Sequence, residues 1–152
     1  MIEILEGVDI FESPANSIVI PVNCVGVMGK GLALQYKNKD HSGFMIYKDY
    51  CDRGKMKIGC PVIVSCSYRS HNVIFFPTKN HWRENSKLEY IISGLTNLQL
   101  DGWNSPHKYI ALESISFPKI GCGEGKLDWD KQVKPLIFAI LGMTNKKIYL
   151  HE

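Results

Sequence analysis

The chain has 152 residues, 45% of them hydrophobic and 22% charged, with a formal net charge of +3 at pH 7. That is enough chain for one domain with its own core, here residues 1–152 without a linker. The charge is mildly basic, compatible with a nucleotide or nucleic-acid substrate without singling one out. No apolar run approaches the roughly 20 residues that span a bilayer. The acidic opening MIEILEGVDIF lacks the basic and apolar regions of a secretory signal. A cytoplasmic protein without membrane contact is expected. Five cysteines (Cys24, Cys51, Cys60, Cys66, Cys122) leave one over if they pair, and no two are spaced as CxxC. Zinc needs paired Cys or His at short spacing, so reduced, mostly buried thiols and no bound metal or cofactor are expected.

In chain order, MIEILEG alternates and reads as a first strand, and SIVIPVN (Ser17 to Asn23) is a β-branched run with the look of a buried strand. A glycine-rich stretch follows, and the apolar spacing from Leu32 predicts one helix continuing towards Tyr47, weakened by Gly43. PVIVSCS (61–67) and NVIFFP (72–77) are two strands joined by a hairpin turn at YRSH. Ser86 followed by Glu89 has the spacing of a capping box opening an amphipathic helix. The polar stretch DGWNSPHK interrupts the pattern, and Tyr109 to Leu112 fits a last helical turn or an early strand equally well. SISFP is a further strand, Asp128 caps a helix from Trp129 to about Leu141 with Pro135 as a possible kink, and KKIYLHE is the last strand. Alternating strands and helices predict a layered α/β fold, whose ligands bind outside the carboxyl ends of the strands.

Both glycine-rich segments fall at that edge. In VNCVGVMGKGLALQYK, Gly26, Gly29 and Gly31 lie within six positions directly after a strand. The spacing fits neither a Walker loop, which needs Ser or Thr after GK, nor the GxGxxG fingerprint. Glycines still let backbone N–H groups approach an anion, assisted by the following helix N-terminus; a tight turn explains the same residues. Gly121-Cys122-Gly123-Glu124-Gly125 has the same setting, so the two loops could hold the two ends of a diphosphate. Asp9, after the first strand, could accept from an adenine amino group or be an ordinary turn aspartate. In FFPTKNHWRENS, Lys79 at the end of a buried strand can be partly desolvated, becoming a base or nucleophile. His81, Trp82 and Arg83 suit stacking and phosphate contact with single-stranded nucleic acid, although a solvated loop anchored by its Trp would look alike. Cys24 and Cys122 flank the loops without a histidine partner nearby and read as small packing residues.

Taken together, GVDI, VNCVGVMGKGLALQYK, FFPTKNHWRENSKLE and FPKIGCGEGKLDW with VKPLI resemble the macrodomain family, specifically its DarG-type branch of DNA ADP-ribosyl glycohydrolases. The resemblance implies a three-layer α/β/α domain with a central mixed sheet and an ADP-ribose cleft. It places Asp9 and the Ile10 backbone on the adenine and the loop of Gly26, Val27, Met28, Gly29 and Gly31 around the distal ribose, with Val25 and Thr78 also binding ADP-ribose. Ile120, Gly121, Cys122, Gly123, Glu124 and Gly125 would cradle the diphosphate. Asn23 and Lys79 would be the catalytic residues, with Lys79 as nucleophile or proton shuttle, and His81, Trp82 and Arg83 would position the DNA.

The implied reaction is metal-independent release of ADP-ribose from a nucleobase, thymidine in single-stranded DNA. It would antagonise a DNA ADP-ribosyltransferase toxin, as an antidote or a phage-borne counter-defence factor. A related subfamily acting on protein glutamates has an aspartate where this chain has Gly125, which argues against that substrate. DarG-type antitoxins carry a second, toxin-binding domain, and with the chain ending at Glu152 a monomer that reverses the modification is expected rather than one that binds the toxin. The rival expectations are an ADP-ribose-binding module without turnover, or a hydrolase of ADP-ribose-1''-phosphate or another NAD-derived metabolite.

Overall fold

A computed structural model describes residues 1–65, 71–107 and 110–152. Six strands, β1 (Ile2–Leu5), β2 (Ser17–Asn23), β3 (Val62–Ser65), β4 (Asn72–Lys79), β5 (Ser114–Phe117) and β6 (Lys147–His151), form one sheet in the order β1-β6-β5-β2-β4-β3. Every pairing is parallel except β3 with β4, so the sheet is mixed, as expected. The turn joining β3 to β4, predicted at YRSH, lies outside the described residues except for His71.

Alternation along the strands divides the core. Ile18, Ile20, Val22, Val73 and Phe75 face α1 (Gly31–Lys39) and α2 (His41–Asp52), meeting Tyr36, Phe44 and Tyr47. Val19, Ile74, Phe76, Ile115 and Phe117 face α3 (Leu88–Gln99) and α4 (Lys134–Leu141), meeting Ile91, Leu95, Val133 and Ile137. A sheet covered on both faces needs near-continuous apolar strands, which is why β2 reads SIVIPVN. The result is the expected three-layer α/β/α domain.

Four local readings are corrected. The single helix predicted from Leu32 to Tyr47 is two helices, broken at the buried Asp40. Its carboxylate accepts from the Gly43 N–H at 3.1 Å and from the Tyr36 hydroxyl at 3.1 Å, capping α2. Gly43 is no weakness: a Cβ there would run into the Tyr36 hydroxyl. The Ser86–Glu89 capping box does not form. The helix starts at Leu88 without a side-chain cap, and the buried Ser86 hydroxyl has no hydrogen-bond partner among the described residues. Asp128 does cap its helix, accepting from the Lys131 N–H at 2.8 Å, but the first turn, Trp129–Val133, is π-helical. Pro135 stands in the first turn of α4, directly after that π-helical turn.

Residues 110–113 are neither helix nor strand, and Tyr109 lies outside the described residues. The polar stretch before them covers an edge. The Ile63 N–H donates to the Asn104 carbonyl at 2.9 Å and the Asn104 N–H to that of Pro61 at 3.0 Å, shielding β3 from pairing with another chain. The described cysteines (Cys24, Cys51, Cys60, Cys122) are free but only half-buried; Cys66 lies outside the described residues. Among the described residues no helix is long and apolar enough to cross a membrane.

Candidate active site

β2 and β5 pair only at Ser17↔Ile115 and Ile18↔Ser116, the start of β2 and the middle of the short β5, which ends at Phe117. The chain leaving β2 enters α1 on one face of the sheet, and the chain leaving β5 reaches α4 on the other. Two adjacent parallel strands whose connections depart to opposite faces must open a crevice between their carboxyl ends. A cavity of about 620 Å³ lies there, a volume in the ordinary range for a small-molecule site. One wall is the first glycine loop with the start of α1, and the other is the second glycine loop.

The floor is built by a register shift. β2 and β4 pair in step through Val22↔Pro77, then slip so that Asn23 stands opposite Lys79 and Thr78 is passed over. A bulge of this kind re-aims the side chains beyond it, and here it sets the backbone of Asn23 opposite that of Lys79 at the ends of two buried strands. Asn23, Thr78 and Lys79 all line the cavity.

The Lys79 Nζ donates to the Trp82 carbonyl at 3.4 Å and the Glu124 carbonyl at 3.3 Å, tying the FPTK-NHWR segment to the second glycine loop. Burial lowers its pKa below the ordinary lysine value, Lys126 and Lys30 push the same way, and the Glu124 and Glu84 carboxylates oppose it. The thiols behave differently. Burial raises Cys24 to about 12 and Cys122 to about 11, so neither is a thiolate at neutral pH.

The first loop is held by Asn23. Its Oδ1 accepts from the Val25 N–H at 3.1 Å and the Val27 N–H at 3.4 Å, and its Nδ2 donates to the Val27 carbonyl at 2.7 Å. Gly26 sits between them at φ +83°, against Lys48 and Cys51 of α2. The second loop is held by backbone. The Leu127 N–H donates to the Gly121 carbonyl at 2.9 Å and the Ser86 N–H to the Gly125 carbonyl at 2.9 Å. A Cβ on Gly125 would strike the Gly121 carbonyl and the Ser86 hydroxyl, so this close approach admits only glycine.

Of the residues singled out from sequence, Asn23, Val27, Gly29, Gly31, Thr78, Lys79, Trp82 and Gly121 through Gly125 line the cavity. Met28 and Ile120 turn their side chains into the two cores and contribute only backbone to their loops. Asp9 caps the short 3-10 turn Ile10–Glu12, accepting from the Phe11 N–H at 2.9 Å, and neither it nor the buried Ile10 borders this cavity. Val25 and Gly26 do not line it. Trp82, 46% exposed, stacks with His81 at 5.1 Å and beneath the Arg83 guanidinium at 4.7 Å, forming an aromatic and cationic rim; His81 and Arg83 do not line the cavity. Missed were Pro21, Val22, Leu32, Ala33, Pro118 and Lys119, which also line it. Lys119 had a legible signal, a cation between a strand end and a glycine loop. With Lys30 and Lys79 it makes the lining cationic against the single carboxylate of Glu124, which suits a diphosphate.

Fold and crevice together define an α/β/α domain with a cationic crevice at the carboxyl ends of its parallel strands. The chain belongs to the macrodomain family, whose Macro domain model matches residues 19–135. Two relatives named DNA ADP-ribosyl glycohydrolase are similar to it. That of Mycobacterium tuberculosis is 38% identical over 133 residues, covering 86% of this chain and 36% of the relative. That of Thermus aquaticus is 30% identical over 154 residues, covering 100% of this chain and 41% of the relative. A Thermosipho africanus protein named DNA ADP-ribosyl transferase-DNA ADP-ribosyl glycohydrolase fusion protein is 30% identical over 145 residues, 84% of this chain and 36% of the relative. The chain thus spans about two fifths of the length of these curated relatives. Among solved structures, the macrodomain of Mycobacterium tuberculosis DarG superposes with a TM-score of 0.83 at 34% identity, covering 99% of this chain and 97% of that one. Thermosipho africanus DarTG in complex with ADP-ribose gives 0.82 at 27% identity, covering 98% of this chain and 41% of that one.

Proposed function

We propose that this macrodomain is a glycohydrolase that releases ADP-ribose from a nucleobase, thymidine in single-stranded DNA, and so reverses the action of a DNA ADP-ribosyltransferase toxin. The observation that carries this reading is the register shift that sets Lys79, with its lowered pKa, opposite Asn23 on the floor of a cationic crevice. The names of the relatives and the ADP-ribose held by the Thermosipho africanus structure agree with it.

In this reading the diphosphate lies against the second glycine loop, with Lys119 and Lys30 as counter-charges. The distal ribose lies between Asn23 and Lys79. As the bond from its C1 to the base nitrogen breaks, positive charge develops on the sugar. The neutral amine of Lys79 either attacks C1 or carries a proton during opening of the ring. In the first case the base nitrogen is displaced and takes up a proton, and water then hydrolyses the sugar–lysine bond to free ADP-ribose. In the second, water adds at C1 after the ring has opened. An amine that must shed a proton to act is favoured by the burial that already disfavours its charge. Trp82, with His81 and Arg83, offers the leaving strand a stacking surface and a phosphate contact at the rim.

The test is release of ADP-ribose from a thymidine-modified single-stranded oligonucleotide by the wild type and Lys79→Ala. The wild type is expected to turn over, and the variant to lose roughly a hundredfold or more of the rate while still binding ADP-ribose by calorimetry. Binding without release by either protein would instead identify an ADP-ribose-binding module.

A further inference from the structure

Asn23 is itself held from behind, by a residue of α2. The Tyr47 hydroxyl lies 2.8 Å from the Asn23 carbonyl oxygen and 2.8 Å from its Oδ1, its one proton shared between the two acceptors. Tyr47 is fully buried, with its ring against Phe75 at 5.5 Å and Phe44 at 6.2 Å. Burial raises its pKa above the ordinary tyrosine value, so the hydroxyl stays a donor throughout the working pH range.

This contact joins the Val25 and Val27 N–H groups in fixing which way the Asn23 amide faces. With Oδ1 turned to Tyr47 and the loop N–H groups, Nδ2 must lie on the other side, where one of its hydrogens goes to the Val27 carbonyl. An amide nitrogen carries two hydrogens. The second has no partner among the described residues, and Asn23 borders the cavity. We propose that Tyr47 is a positioning residue of this site: its hydroxyl locks the Asn23 backbone and amide so that the unpaired N–H of Asn23 faces the crevice opposite Lys79. The inference rests on the reading that ADP-ribose occupies the crevice. It adds that a residue outside the cavity sets the geometry of the reacting end, through one side chain and not through the packing of the core.

Tyr47→Phe keeps the ring contacts and removes only the hydroxyl. Displacing a group at a reacting centre by a fraction of its proper geometry costs roughly 10- to 100-fold in rate, and that loss in kcat is expected for release of ADP-ribose from modified DNA. A purely structural role would lower the melting temperature and leave kcat alone. The decisive comparison is a double-mutant cycle with Asn23→Ala. If Tyr47 acts through the Asn23 amide, Tyr47→Phe costs clearly less once the amide is gone, although the bond to the backbone carbonyl of residue 23 remains to be lost. Unchanged kcat in Tyr47→Phe, or losses that add in full, would overturn the proposal.

If Tyr47→Phe does not fold, 3-fluorotyrosine at position 47, which keeps ring and hydroxyl but changes the donor strength, is expected to shift kcat with Asn23 present and clearly less with Asn23→Ala. Should the wild type bind ADP-ribose without releasing it from DNA, the proposed function fails and the clamp is judged by ADP-ribose affinity in the same four proteins. There, non-additive losses support it, and additive or absent losses overturn it. A wild type that neither binds nor releases ADP-ribose overturns both.

Discussion

The two glycine loops face each other across one crevice and are built on different principles. The first is shaped by a side chain: Asn23 gathers the backbone of Val25 and Val27, and Tyr47 holds Asn23. The second is shaped by the absence of side chains, because Gly125 packs so closely on Gly121 and Ser86 that a Cβ has no room. The difference follows the chemistry proposed for each wall. Orienting a single reacting sugar requires an aimed polar group, and an amide supported by hydrogen bonds supplies it. Surrounding a diphosphate requires several N–H groups at short range, which bare backbone supplies better.

Three substitutions probe this contrast. The largest effect is expected from Gly125→Ala. Forcing a methyl into such a site costs about 1–3 kcal/mol, with the Gly121 carbonyl having to give way, so ADP-ribose affinity should fall about tenfold or more by calorimetry. Unchanged affinity would show that the second loop has slack and is not held by close approach.

Glu124→Gln is expected to have a smaller effect, on pH dependence. The Glu124 carboxylate raises the Lys79 pKa against the larger lowering by burial. Activity should therefore rise with pH as the amine loses its proton and level off above the lysine pKa. Removing the carboxylate should move the whole profile to lower pH, while the hydrogen bond from Lys79 to the Glu124 carbonyl is kept. A profile that moved to higher pH, or did not move, would separate the observed ionisation from Lys79.

Gly123→Ala should do least to the protein itself. A Cβ there meets nothing within 4 Å, so thermal stability should stay within about 0.5 kcal/mol of wild type. Any loss of ADP-ribose affinity in that variant would then report direct contact with the ligand.

Much of the architecture was legible because it rests on local pattern. β-Branched runs such as SIVIPVN and NVIFFP mark buried strands wherever they occur, and Asp128 caps its helix as its chemistry suggests. The misreadings share a cause, a partner distant in sequence or a contact that local pattern does not weigh. Ser86 has the spacing of a cap, yet its N–H is drawn to the Gly125 carbonyl and its side chain is buried beneath the second loop. The stretch from Asp101 to His107 has no periodicity because its role is to cover the edge of β3. Asp40 breaks a helix that apolar spacing alone would continue, because it is buried between Tyr36 and Gly43.

For the site, the sequence by itself determined the parts. It supplied two loops whose glycines permit close approach to an anion, a lysine at the end of an apolar strand, and the family resemblance in which both are found. Tertiary structure decided their relation. The slip between β2 and β4 that sets Asn23 opposite Lys79, the divergence of β5 from β2 that opens the crevice, and the reach of Tyr47 from α2 each join segments far apart in the chain. Residue preferences act over a few neighbouring positions, whereas register and crevice geometry are set by packing across the whole sheet.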